Sequence, residues 1–177
     1  MERYSEQYKA KCIRRLKEWH APLDGWYCDR MYDVAEDDES PNTVVLTTCE
    51  LCGCSSVRYV HVMQNSEYFE DIEVGCICAG IMEGNILGAK ARDNDMKNRA
   101  RRKRNFLKRK WYKTICGNLR TNYRGQEVYI SKSKHGNGFR VQCRDQSVRQ
   151  YKGHPIDSFL SAAYAAFDLV DPICEVG

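Results

Sequence analysis

The chain has 177 residues, 42% of them hydrophobic and 29% charged, with ten cysteines and a formal net charge of +4. It opens MERYSEQYKAK, with no apolar leader, and no stretch approaches the roughly 20 apolar residues of a membrane helix. The expectation is therefore neither a secreted disulfide scaffold nor a membrane protein, and the cysteines are read as those of a cytoplasmic protein, most of them metal ligands or small buried residues.

Charge is unevenly spread: residues 1–87 carry 8 Lys and Arg against 16 Asp and Glu, whereas residues 88–177 carry 20 against 8. That asymmetry predicts a polyanionic partner for the second half.

Residues 3–19 bring Tyr4, Tyr8, Cys12, Leu16 and Trp19 round at steps of three and four, which predicts an amphipathic helix ended by Pro22. Residues 23–27 read as a turn with two aromatics, and residues 33–41, DVAEDDESP, as an acidic loop. The stretch from Cys49 to Cys78 is the chemical centre. Cys49-x-x-Cys52-Gly53 has the spacing of a zinc knuckle, two short strand runs follow at 57–63 and 71–74, and Cys76-x-Cys78 stands at the start of a helix. Two cysteine pairs brought together by a hairpin supply the four soft ligands of a tetrahedral, structural Zn²⁺ in the order of a treble-clef finger. Cys49, Cys52, Cys76 and Cys78 are the expected ligands, with Cys54 and His61 as substitutes. Cys12, Cys28, Cys116, Cys143 and Cys174 have no paired spacing and are read as structural.

Residues 89–113 contain no Gly or Pro and predict a long helix, with ten Lys and Arg among the seventeen residues from Lys97 to Lys113. So dense a run repels itself unless phosphates neutralise it, which makes Arg99, Arg101, Arg102, Lys103, Arg104, Lys108 and Arg109 candidate phosphate contacts. After a polar connector at 117–125 come strand signals at 127–132, 139–144 and 147–151, and a helix at 158–170 capped by Asp157 or Ser158. Alternation places Val128, Ile130, Phe139, Val141 and Cys143 toward that helix. The opposite face then carries Tyr129, Arg140, Gln142, Arg144 and Arg149. Arg suits guanine and Gln adenine at the edges of a major groove.

The pattern VYISKSKHGNGFRVQCRDQSVRQY followed by SFLSAAYAAFDL resembles the three-stranded-sheet-plus-helix DNA-binding domains of plant ethylene-response-type factors and of tyrosine integrases. The resemblance covers about residues 125–170 and implies a sheet that enters the major groove, with Arg140, Gln142, Arg144 and Arg149 facing the bases. The central segment, YVHVMQNSEYFEDIEVGCICAGIMEGN with the basic helix, is similar to a recurrent bacterial and phage family without an assigned activity. The knuckle followed by Val60-His61-Val62 also resembles HNH nucleases. That likeness would make His61 a general base activating water beside Mg²⁺, with Asn65, Glu83 or Asn85 as companions.

The expected architecture is α+β. Residues 1–40 form a helix and acidic loop, 41–88 a zinc module, 89–116 a basic helix, and 117–177 a β-β-β-α domain. The expected function is zinc-containing binding of nucleic acid, duplex DNA foremost, in a bacterial cell or phage-infected host. A degenerate HNH-type nuclease and a phage inhibitor of a host protein complex are the alternatives.

Overall fold

The computed structural model describes residues 5–36, 45–134 and 136–174. The expected Tyr4 contact, the acidic residues 37–41 and His135 of the 134–138 turn lie outside the described residues. The fold is mixed α+β, in two compact units that divide between Asn98 and Arg99. The basic helix expected as a segment of its own is thus parted between them.

The first unit contains α1 (Glu6–Glu18), β1 (Tyr27–Asp33), β2 (Tyr59–Asn65), β3 (Tyr68–Val74), α2 (Cys76–Glu83) and the start of α3 (Ile86–Leu107). Its sheet is antiparallel in the order β1-β2-β3. β2 is the middle strand, and Tyr59 to Met63 are all buried along it, so both of its faces are covered. α2 packs on β1 and β2 and touches α1. Ser5 caps α1 by accepting a hydrogen bond from the Tyr8 amide, and Cys12 and Leu16 are its buried residues.

Strand β1 lies between the residues 23–27 read as a turn and the residues 33–41 read as an acidic loop, overlapping each by one residue. Only Cys28 and Met31 of its YCDRMYD are buried, three residues apart, because a bulge lies between Cys28 and Arg30. The extra residue breaks the two-residue alternation by which a strand is recognised.

The second unit continues from the end of α3 through β4 (Tyr112–Lys113), β5 (Leu119–Tyr123), β6 (Gln126–Lys132), β7 (Phe139–Cys143), β8 (Gln146–Val148), β9 (Gln150–Tyr151), β10 (His154–Pro155) and α4 (Phe159–Val170). Strands β4 to β8 form one antiparallel sheet in chain order. The helix expected to run to residue 113 stops at Leu107, and the connector at 117–125 is strand β5. Its inward residues Thr121 and Tyr123 are buried, while Arg120 and Asn122 point out. Thr121 donates to the Lys110 carbonyl at 3.3 Å, which allows a polar residue to sit at a core position. Arg124 (φ 50°) and Gly125 (φ 78°) make the tight turn into β6, two left-handed residues of the kind a two-residue hairpin uses.

Val128, Ile130, Val141 and Cys143 meet Ala162, Ala166, Phe167 and Val170 of α4 in one core, which Phe106 of α3 completes. Burying a side chain such as Phe106 or Phe167 contributes about 1.5–3 kcal/mol. Ser158 and Ser161 form a reciprocal capping box at the start of α4.

Candidate metal centres and sheet face

In the first unit the 49–54 loop folds as a knuckle: the Gly53 amide donates to the Cys49 carbonyl at 2.9 Å and the Cys49 amide to the Cys54 carbonyl at 2.8 Å. Gly53, at φ 77°, takes the left-handed conformation the turn requires. The hairpin of β2 and β3 then carries the chain to α2. Cys49, Cys52 and Cys78 bring their sulfurs within 4.8 Å of one another, a cluster that could hold a metal ion. Cys54 is exposed.

Cys12 of α1 joins this group. Its sulfur is 3.9 Å from that of Cys78, close to the roughly 3.8 Å that separates two thiolates on one tetrahedral zinc with bonds of about 2.3 Å. The Tyr8 hydroxyl is 3.1 Å from the same sulfur, and Lys11 donates to the Cys52 carbonyl at 3.0 Å. The unpaired spacing that led Cys12 to be read as structural is a helix stripe, and the stripe faces the cluster.

The thiols perturb one another. The neighbouring Cys78 sulfur and then burial push the Cys49 thiol up. Cys12 and Cys78 shift in opposite senses, since hydrogen bonding with Cys78 lowers Cys12 and raises Cys78 in return.

Cys76, expected in the same ligand set, is elsewhere. It lies with His61 of β2 and Asp93 of α3 in a second group whose donor atoms are also within 4.8 Å of one another. His61 is fully buried, with Nε2 3.7 Å from Asp93 Oδ1 and Nδ1 3.9 Å from Cys28 Sγ. Lys97 holds the other Asp93 oxygen at 2.9 Å. Burial pushes the Cys76 thiol up to about 11. Burial also works to raise the Asp93 carboxyl, but His61 and Lys97 beside it outweigh that and hold it below the usual range. The acidic companion of His61 is therefore Asp93, not Asn65, Glu83 or Asn85. The Asn65 side chain is engaged with the Asp24 carbonyl, Glu83 pairs with Arg92, and Asn85 accepts from the Gly88 amide.

In the second unit the candidate phosphate contacts separate into two kinds. Arg99 and Lys103 are buried. Arg99 donates to the Asp171 carbonyl at 2.9 Å and pairs with Asp168 at 2.7 Å. Lys103 donates to the Tyr151 hydroxyl and lies 4.6 Å from the centre of the Tyr164 ring. Arg102 grips the Asp171 carboxylate with two nitrogens, at 2.6 and 2.9 Å. These three tie α3 to α4 and its C-terminal end, so half-buried Arg102 and buried Arg99 and Lys103 serve the fold. Arg101, Arg104, Lys108 and Arg109 are exposed.

The outer face of the sheet carries a row across its five strands: Tyr112, Arg120, Tyr129, Gln142 and Ser147 are successive cross-strand partners. Arg140, opposite Ser131, lies along β7 from Gln142, and Arg144 and Arg149 are exposed beyond. Glu127 is on this face too, accepting from the Tyr129 hydroxyl at 2.8 Å and lying 3.5 Å from Arg120.

Comparisons with protein-family models, curated proteins and solved structures find no match for this chain. No helix among the described residues is long and apolar enough to cross a membrane.

Proposed function

We propose that the chain is a zinc-containing, non-enzymatic nucleic-acid-binding protein whose target is duplex DNA. One observation carries this reading: the outer sheet face presents Arg120, Tyr129, Arg140 and Gln142 opposite the face that α4 covers, with Arg144 exposed just past the end of β7. A sheet can enter a major groove, where Arg and Gln make paired hydrogen bonds to guanine and adenine. Exposed Arg101, Arg104, Lys108 and Arg109 supply phosphate contacts without regard to sequence. Glu127 reduces the positive potential of the face and favours selectivity over indiscriminate affinity.

In the first unit, the zinc ligands would be Cys49, Cys52, Cys78 and Cys12 in a treble-clef-like module. The ion would cross-link the knuckle, α2 and α1, a stabilisation a small core gains from metal.

The test is plasmid retardation by zinc-loaded protein over a range of salt, with and without Mg²⁺. Retarded, intact plasmid released by salt is expected, with log affinity falling by about 0.9 per log unit of salt for each phosphate neutralised. No retardation at low salt, or no salt dependence, overturns the reading. Cleavage only with Mg²⁺ would support the nuclease alternative. A protein captured from a host lysate after nuclease treatment would support the interaction alternative.

A further inference from the structure

We infer that His61, Cys76 and Asp93 form a second metal site, for a zinc-class divalent ion, with three protein ligands and one position for an exchangeable ligand. The inference does not rest on nucleic-acid binding. One nitrogen of His61, the Cys76 sulfur and an Asp93 oxygen lie within 4.8 Å of one another. In a nucleophilic relay the two ring nitrogens would face the two partners separately. Here one nitrogen is near both, so three donors converge on a point.

The decisive group is His61 Nε2. It is buried and has no hydrogen-bond partner among the described residues. Leaving such a nitrogen unpaired is costly, and a metal ion removes that cost.

The surroundings prepare it as a ligand. The Cys28 thiol donates to the Arg30 carbonyl at 3.5 Å, so its sulfur is left to accept the Nδ1 proton of His61 at 3.9 Å. With the proton on Nδ1, the lone pair stands on Nε2, as a ligating imidazole needs. Asp93 is prepared likewise: Lys97 occupies Oδ2, and Oδ1 is the oxygen 3.7 Å from Nε2. A tetrahedral zinc sets such donors roughly 3.4 Å apart, so the Nε2–Oδ1 pair closes with a few tenths of an ångström of movement. An N, S and O donor set selects zinc or cobalt and rejects Mg²⁺ and Ca²⁺. Cys76 and Asp93 are half-buried where His61 is sealed, so the fourth position opens toward solvent and suits water.

The test is elemental analysis of the full chain after equilibration with zinc and removal of free metal, followed by ¹¹³Cd substitution and NMR. Wild-type protein should hold two ions and show two cadmium resonances, the mixed-donor one upfield of the thiolate one. Asp93→Asn, which keeps the shape of the side chain, and Cys76→Ser should each lose one ion and that upfield resonance. Cys49→Ser should lose the other. A single ion lost in Asp93→Asn but kept in Cys49→Ser would support this site and remove the thiol site. A wild-type chain with no ion, or with one that persists in both Asp93→Asn and Cys76→Ser, overturns the inference. The wild-type count and spectrum stand even if a variant fails to fold.

Discussion

Cys76 and Cys78, the first and third residues of α2, serve different clusters: Cys78 lies with Cys49 and Cys52, and Cys76 with His61 and Asp93. Helix geometry explains the divergence. Each residue turns the helix by about 100°, so positions two apart point about 200° round from one another and cannot share an ion. A C-x-C pair suits a single site in a loop; inside a helix it divides.

The first prediction follows from that division. Cys78→Ser should release the thiol-site ion and loosen the first unit, as should a chelator. Cys54→Ser should leave metal content and melting temperature unchanged, because Cys54 is exposed and outside the cluster. Trp26, buried in the first unit, should shift its emission to the red in Cys78→Ser and keep it in Cys54→Ser. Amides of β6 and β7 should stay protected throughout, since their core contains neither cluster.

A second prediction separates the arginines of α3. Arg99→Ala removes a buried guanidinium from its pair with half-exposed Asp168 and leaves the Asp171 carbonyl without that donor. It should destabilise the second unit by about 1–3 kcal/mol, read by hydrogen exchange. The salt dependence of DNA binding should be unchanged. Arg101→Ala and Arg104→Ala are at exposed positions. Each should lower the salt slope by about 1 and leave stability within about 0.5 kcal/mol. A reversed pattern would return phosphate contact to Arg99.

How far the sequence could be read follows from the range of the forces involved. β6, β7 and α4 are legible because Val128, Ile130, Val141 and the Ala-rich stripe obey local periods of two and 3.6. β1 is hidden by its bulge, and β5 by polar residues whose partners, such as the Lys110 carbonyl for Thr121, are known only after folding. The knuckle is legible in Cys49-x-x-Cys52 for the same local reason. The companions Cys12 and Asp93 are not, because they arrive on α1 and α3 by tertiary packing. Asp93 is further disguised among basic residues, where an acid reads as charge balance. Charge density likewise misled at Arg99 and Lys103. A run of cations shows its number, not which members meet Asp168, Asp171 or a tyrosine ring.

The outer sheet face yields a third prediction. Arg140→Ala, Gln142→Ala and Arg144→Ala should each cost about 1–3 kcal/mol of binding to a preferred duplex, a loss of roughly 5- to 150-fold. Competition by unrelated duplex should change less. Glu127→Gln removes a carboxylate from beside Arg120 and Tyr129. It should tighten binding to all duplexes and narrow the preference among them. Fluorescence anisotropy at fixed salt measures both effects, and unaltered affinities in the three β7-side variants would discard the sheet as the interface.

The last prediction concerns Asp171, which accepts from Arg102 and from the Tyr123 hydroxyl at 3.1 Å. Burial works to raise its carboxyl, but those donors outweigh it and hold the group below the usual carboxylate range. A depressed folded value means that the carboxylate stabilises the fold at every pH above its unfolded value of about 3.9. That stabilisation fades as pH falls through the lower folded value. The exchange free energies of Val128, Ile130 and Val141 should therefore stay level from neutrality to about pH 5 and fall below about pH 4. Asp171→Asn keeps the side-chain shape but loses the charge that Arg102 pairs with. At neutral pH it should be less stable by about 1–3 kcal/mol, and the fall below pH 4 should be shallower. An acid limb as steep as in the wild type would assign the acid sensitivity to other carboxylates.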